Sequence, residues 1–301
     1  MKKSIICLFV ILLFACKNPT KPSGKLKVVV TTSMLTDLVK NIGADLIEIE
    51  GLMGPGVDPH LYKASEGDVS KLFNADVIFY NGLHLEGKLV AVFEKMETQK
   101  TTVALGEFLA KEGLIGSDYF ASNYDPHVWF SIQYFKEFSD KVTSVLSEKD
   151  PKNAASFTAN NLAFQQKLDL LHTAVVNTIA TLAPEKRILV TAHDAFNYFG
   201  KAYGFKVVGL QGLSTATEAG VQDVQKLSEY IIANKVKAIF IESSVPRRTI
   251  EALQEAVLSK GHQVSIGGSL YSDALGDADS VEGTYVGMFL YNIKTIVNAL
   301  Q

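Results

Sequence analysis

Between residues 151 and 183 the chain runs without an internal glycine or proline, and Phe157, Phe164, Leu168, Leu171, Val175, Ile179 and Leu182 recur at helical spacing. Pro151 opens this stretch and Pro184 follows it, so one continuous helix is predicted across it. At 1.5 Å per residue such a helix is about 50 Å long, a stiff strut able to run the length of a two-lobed molecule. Short β-branched runs alternating with longer amphipathic stretches lie on both sides of it. Strands are predicted at 27–31, 46–52, 76–80 and 102–105 before the helix, and at 187–191, 206–210, 237–241 and 263–266 after it. The expected fold class is α/β: two parallel-sheet lobes, 26–150 and 185–301, joined by one long rigid helix at 151–184. Folds of this kind place ligands at the carboxyl ends of their strands, here in the cleft between the lobes.

The chain's 301 residues, 47% hydrophobic and 20% charged, are a core-forming composition. A formal charge of −3, with lysines and arginines spread along the chain, leaves no electrostatic footprint for nucleic acid. The amino terminus is different in kind. Lys2 and Lys3 precede an apolar run at 5–15, too short for a hydrocarbon core that needs roughly 20 residues, so 1–15 reads as a signal peptide. That leader ends Leu13-Phe14-Ala15-Cys16, which resembles the bacterial lipobox and implies lipidation of Cys16. The chain's two cysteines are Cys7, lost with the leader, and Cys16, so the folded body has no thiol for disulfides, nucleophiles or metal ligation. Residues 16–25, polar and proline-bearing, read as anchor and tether.

Three of the six histidines, His60, His127 and His193, fall in loops that follow a strand or open a helix. Two stand in the same tripeptide, Asp58-Pro59-His60 and Asp125-Pro126-His127, where the proline ring fixes φ near −65° and stiffens the backbone that presents the imidazole. Asp-Pro is also a common turn opener, so the repeat alone leaves a turn and a ligand site both open. His193 lies just beyond a second-lobe strand, where α/β folds expose chemistry, and Asp273 sits in the loop after the last strand, where a turn role competes with a functional one.

The segments Pro55-Gly56-Val57-Asp58-Pro59-His60, Asn81-Gly82-Leu83-His84-Leu85-Glu86, Asp125-Pro126-His127-Val128-Trp129, Thr191-Ala192-His193-Asp194-Ala195-Phe196 and Tyr271-Ser272-Asp273-Ala274-Leu275-Gly276 carry a more specific signal together. In this order they resemble the marker segments of the TroA-like zinc/manganese solute-binding lipoproteins of ABC importers (cluster A-I), from about residue 27 to the carboxyl terminus. The resemblance implies a metal held between two lobes by His60, His127, His193 and Asp273. It further implies a monomeric carrier, lipid-anchored to the bilayer through Cys16 in the cell envelope, that delivers a divalent transition metal to an ABC permease.

Three imidazoles and a carboxylate suit a borderline cation, and four protein ligands leave no open position for catalytic water, which favours a carrier over an enzyme. Zinc is the favoured ion. The long histidine- and acid-rich first-lobe loop and second-lobe disulfide of many dedicated zinc carriers in that family are both missing, which keeps manganese and iron in view. Affinity is expected to fall as pH drops through roughly 6.5. An extracellular metallohydrolase using the same four residues, with Glu242 or Glu66 as base, is the competing reading, and an adhesin is a third. Glu242, at the end of a strand, is a candidate to accept an imidazole N–H and fix its tautomer. His84, His172 and His262 read as surface or structural residues, and Trp129 as part of the crevice wall.

Overall fold

The computed structural model describes residues 24–117 and 120–301. The leader, Cys16 and most of the tether lie outside the described residues. The first lobe runs β1 (Leu26–Val30), α1 (Ser33–Gly43), β2 (Ile47–Gly51), α2 (Glu66–Asn74), β3 (Val77–Tyr80), α3 (Val90–Glu97), β4 (Thr101–Ala104) and α4 (Ile132–Lys149). After α5 (Ala154–Ile179) come β5 (Ile188–Thr191), α6 (Asn197–Tyr203), β6 (Lys206–Gly209), α7 (Val221–Ala233), β7 (Ala238–Glu242), α8 (Arg248–Ser259), β8 (Ser265–Leu270) and α9 (Tyr285–Leu300). All eight predicted strands are present, with bounds displaced by a few residues at most.

The first-lobe sheet is fully parallel in the order β2-β1-β3-β4. In the second lobe β5 pairs with β6 and β7 with β8, again in parallel, and β5 lies alongside β7. The two halves therefore repeat one winding order, with the reversal between β1 and β3 in the first and between β5 and β7 in the second. Apolar runs such as Val28-Val29-Val30, Val77-Ile78-Phe79 and Ala238-Ile239-Phe240 are buried because helices cover both faces of the sheets. The reversal points are where a ligand finds the carboxyl ends of strands uncovered.

The linking helix is shorter than the sequence pattern predicts. α5 has 26 residues, about 39 Å, because Pro151 and Pro184 each open a 3-10 turn instead of extending it. Its far end is stopped by Arg187, whose guanidinium donates to the carbonyls of Ile179 and Leu182. Phe157, Phe164, Leu168, Leu171, Val175 and Ile179 form its buried stripe. That stripe belongs to one apolar core that also takes in Val28 and Phe79 of the first lobe and Leu189, Phe240 and Tyr285 of the second. The lobes are thus welded along α5 and not hung from it. Among the described residues no helix is long and apolar enough to cross a membrane.

Candidate metal centre

Four loops bring the predicted residues to one point between the lobes. His60 follows β2, His127 precedes the 3-10 turn that leads to α4, His193 follows β5 and Asp273 follows β8. All are buried, His60 at 4% exposure and the others at 0–1%. His127 Nε2 lies 3.3 Å from Nε2 of both His60 and His193. Asp273 Oδ2 is 3.2 Å from His193 Nε2 and 3.7 Å from His60 Nε2, and Oδ1 is 3.6 Å from His127 Nε2. One donor atom from each residue falls within 4.8 Å of all the others. A tetrahedron with metal bonds of about 2.0–2.2 Å has edges of about 3.3–3.6 Å, so the spacing fits a four-coordinate ion. Both Asp273 oxygens are buried without a hydrogen bond, facing ring nitrogens. Such a donor set is suited to holding a divalent cation.

Charge is distributed unevenly over the four. Burial drives His60 down to about 3, with Asp273 opposing and the two neighbouring imidazoles adding to the fall, so its ring is neutral. Burial also acts to depress His193, but Asp273 and Glu242, one at each ring nitrogen, outweigh it and hold the imidazole well above its ordinary value. Burial alone would raise Asp273, yet the three histidines keep it below the usual carboxylate range. Without metal, then, the centre is a carboxylate facing an imidazolium.

The rings are aimed by carboxylates behind them. His193 Nδ1 lies 2.6 Å from Glu242 Oε2, and its backbone N–H donates to Glu242 Oε1 at 2.8 Å. Asp125 Oδ1 receives both the backbone N–H of His127 (2.9 Å) and its Nδ1 (2.7 Å), which turns Nε2 toward the centre. In the matching tripeptide Asp58 Oδ1 accepts the His60 backbone N–H at 2.8 Å, while its Oδ2 accepts from Thr215 of the second lobe at 2.5 Å. Asp125 Oδ2 likewise accepts from Asn197 of the second lobe at 3.1 Å, so both tripeptides tie the lobes together and only the second also aims its ring.

A further buried glutamate supports the first-lobe side. Glu86 Oε1 accepts from Thr31 Oγ1 (2.7 Å) and the Asn81 N–H (2.8 Å), clasping the ends of β1 and β3, and Asn81 Nδ2 donates to Pro126 O at 3.0 Å, next to His127. Gly82, Leu83 and His84 that follow all have positive φ, a left-handed run that costs energy at the two non-glycine residues. The Gly82 N–H donating to Glu86 Oε2 at 3.3 Å helps hold it. Glu86 and Asp125 stand in the marker segments, but the sequence alone assigns neither a role. The recurrence of aspartate two residues before a loop histidine was the available signal for Asp125, and for Glu86 its place at the end of a marker segment.

The residues set aside lie where they do not join the four. His84 is exposed beside Phe120, His172 sits against the Tyr203 hydroxyl on α5, and His262 precedes β8. Glu66 is exposed at the start of α2. Trp129 is buried with its ring centroid 5.2 Å from that of His127, and its indole N–H donates to Ser272 O at 3.0 Å.

Glu242→Gln keeps an oxygen for the His193 backbone bond but turns an amide N–H toward Nδ1. Metal affinity, measured by competition with a chromophoric chelator, is expected to fall about 10- to 100-fold. An unchanged affinity would remove Glu242 from the set that orients the ring.

Two parallel-sheet lobes welded along one helix, with three imidazoles and a carboxylate buried between them, define the substrate-binding component of a metal-importing ABC system. The chain belongs to the ZnuA family, the periplasmic component A of zinc-uptake complexes, whose family model matches residues 28–299. It is 49% identical to the zinc-binding protein TroA of Treponema pallidum (strain Nichols) over 277 residues, 92% of this chain and 89% of that one. The manganese-binding lipoprotein MntA of Bacillus subtilis (strain 168) is 47% identical over 277 residues, 92% of this chain and 90% of its own. The solved structure of periplasmic zinc-binding TroA from Treponema pallidum superposes with a TM-score of 0.90 at 49% identity, covering 92% of this chain and 99% of that one. The family is one of metal-binding transport components and not an enzyme family.

Proposed function

We propose that this chain captures a divalent transition metal outside the cytoplasm at His60, His127, His193 and Asp273 and hands it to a membrane permease. The observation that carries the reading is the convergence of four buried donors, one atom of each within 4.8 Å of all the others, with both Asp273 oxygens unsatisfied and facing the rings. Zinc is the favoured cargo, because three imidazoles and one carboxylate converging on one point suit a tetrahedral borderline ion. Manganese and iron are the alternatives, and relatives named for zinc and for manganese lie within two percentage points of identity of each other. The domain reading places lobes at 26–150 and 185–301 about a linking segment at 151–184, and the chain works as a monomer tethered to the bilayer by acylated Cys16.

Against a hydrolase stands the position of the general-base candidate: Glu242 Oε1 accepts the His193 backbone N–H, its Oε2 lies 2.6 Å from His193 Nδ1, and Glu66 lies exposed on α2. The deciding experiment is elemental analysis of protein purified without added metal, before and after chelator treatment, with the zinc-loaded form assayed against ester and peptide substrates. One ion per chain, removable and reloadable, with no turnover, is the expected result. Turnover by the loaded protein, or a chain that takes up no ion, would overturn the assignment.

A further inference from the structure

Given a divalent cation as cargo, the buried centre needs a route to solvent. Bonds between the lobes cross both flanks: Thr215, in the loop at 210–219, is tied to Asp58 on one side. On the α1 side a wide groove ends at bonds that cross between the lobes, from the Leu275 N–H to Ser33 Oγ at 2.8 Å and from the Tyr285 N–H to Asp37 Oδ2 at 3.0 Å. The opposite flank is a groove of about 450 Å³ between Ser117 and Phe120 of the first lobe and Asp194, Gln211, Glu218 and Asp223 of the second. None of the four donors lines it, but two of its lining residues adjoin them. Asp194 follows His193 in the chain, and the Phe120 ring meets His60 edge-on at a centroid distance of 6.5 Å.

The groove is lined by three carboxylates and, among the described residues, by no lysine, arginine or histidine, although Arg248 reaches Glu218 at 3.5 Å and Asp223 also receives the Gly220 N–H. Its distinguishing feature is a buried amide. Gln211 is 6% exposed, its Nε2 donates to Thr217 O at 3.4 Å, and its Oε1 has no partner. Asp194 Oδ1 is likewise buried and unpartnered. Buried acceptors without donors call for water or a cation to complete them, and the surrounding negative charge selects the cation. We propose that this groove is the entry path, in which Asp194 and Gln211 hold the incoming divalent cation in transit before His193 and His60 take it. Two oxygen donors bind such an ion weakly, and the imidazoles beyond bind a zinc-type ion more strongly, so the gradient runs inward.

The chain's single tryptophan, Trp129, stands beside His127 and supplies a fluorescence reporter for stopped-flow mixing with Zn²⁺. Glu218→Gln with Asp223→Asn is expected to slow association about threefold to tenfold at low salt, an effect lost at high salt, with dissociation unchanged. Gln211→Glu adds a charge to the same groove and should speed association. Glu148→Gln, near the far end of α4, serves as the control and should leave the rate as it is. Association rates indifferent to both groove variants, or slowed equally by Glu148→Gln, overturn the entry path while leaving the centre intact. A wild-type chain that shows no zinc-dependent signal and takes up no zinc at equilibrium overturns the function on which the path rests.

Discussion

Asp273→Asn is expected to abolish tight metal binding while the chain still folds. Asp273 is the one carboxylate among the four donors, wholly buried, with three imidazoles within 3.2 to 3.7 Å of its oxygens. Asparagine keeps the shape and one carbonyl oxygen but removes the negative charge that offsets the ion. Removing one partner from a buried charge pair costs about 3–5 kcal/mol, roughly two to three and a half powers of ten in affinity. Competition against a chelator of known affinity measures the loss, and circular dichroism reports whether the fold is kept. An affinity within threefold of the unaltered protein would mean that the ion is held elsewhere.

The second large effect is that of pH, and it reaches higher than the sequence alone implies. In the metal-free protein Asp273 and Glu242 hold the proton on His193 well above the ordinary histidine range despite burial, so the incoming ion must displace it. Below the folded-state value of His193 each unit of pH costs about tenfold in affinity, and this dependence extends through neutrality instead of ending near 6.5. His60, pushed down to about 3, adds nothing over that range. The expected observation is log affinity that keeps rising with pH across neutrality, between pH 6 and 8, with proton release on binding in calorimetry across several buffers. A flat profile over that interval would sink the prediction.

The stability of the metal-free protein follows the same proton with its own sign. A raised folded-state value means that His193 stabilises the fold fully below its unfolded value near 6.5, and that this contribution is lost as pH rises through the folded value. Asp273 is lowered, so its contribution is present above the unfolded carboxylate value and lost only as strongly acidic pH crosses its folded one.

The central strands β1, β3, β5 and β7 were legible as short, largely buried apolar runs, a pattern that needs no knowledge of its neighbours, whereas β2 alternates isoleucine with the exposed Glu48 and Glu50. The linking helix was legible in its stripe but not in its ends, since Pro151 and Pro184 are each compatible with an α-helical turn or a 3-10 turn. The convergence of His60, His127, His193 and Asp273 came from family resemblance and not from spacing, because up to 213 positions separate them in the chain. Asp58 and Asp125 show where local reasoning ends. Identical tripeptides predict identical turns, and both backbone bonds form, yet only Asp125 also meets its own histidine's ring, a choice made by the tertiary surroundings. Glu86 lies 55 positions from Thr31, and its clasp exists only once β1 and β3 are neighbours.

The apolar core shared through α5 has a thermodynamic consequence for unloading. Prying the halves apart like jaws would wet that core, and every 400 Å² of newly exposed hydrocarbon costs about 10 kcal/mol. No docking event is needed on that scale if cargo escapes by shifting a few loop atoms, such as the Thr215 hydroxyl bonded across to Asp58. On that account the ion is expected to leave through a local loop movement while the shared core stays packed.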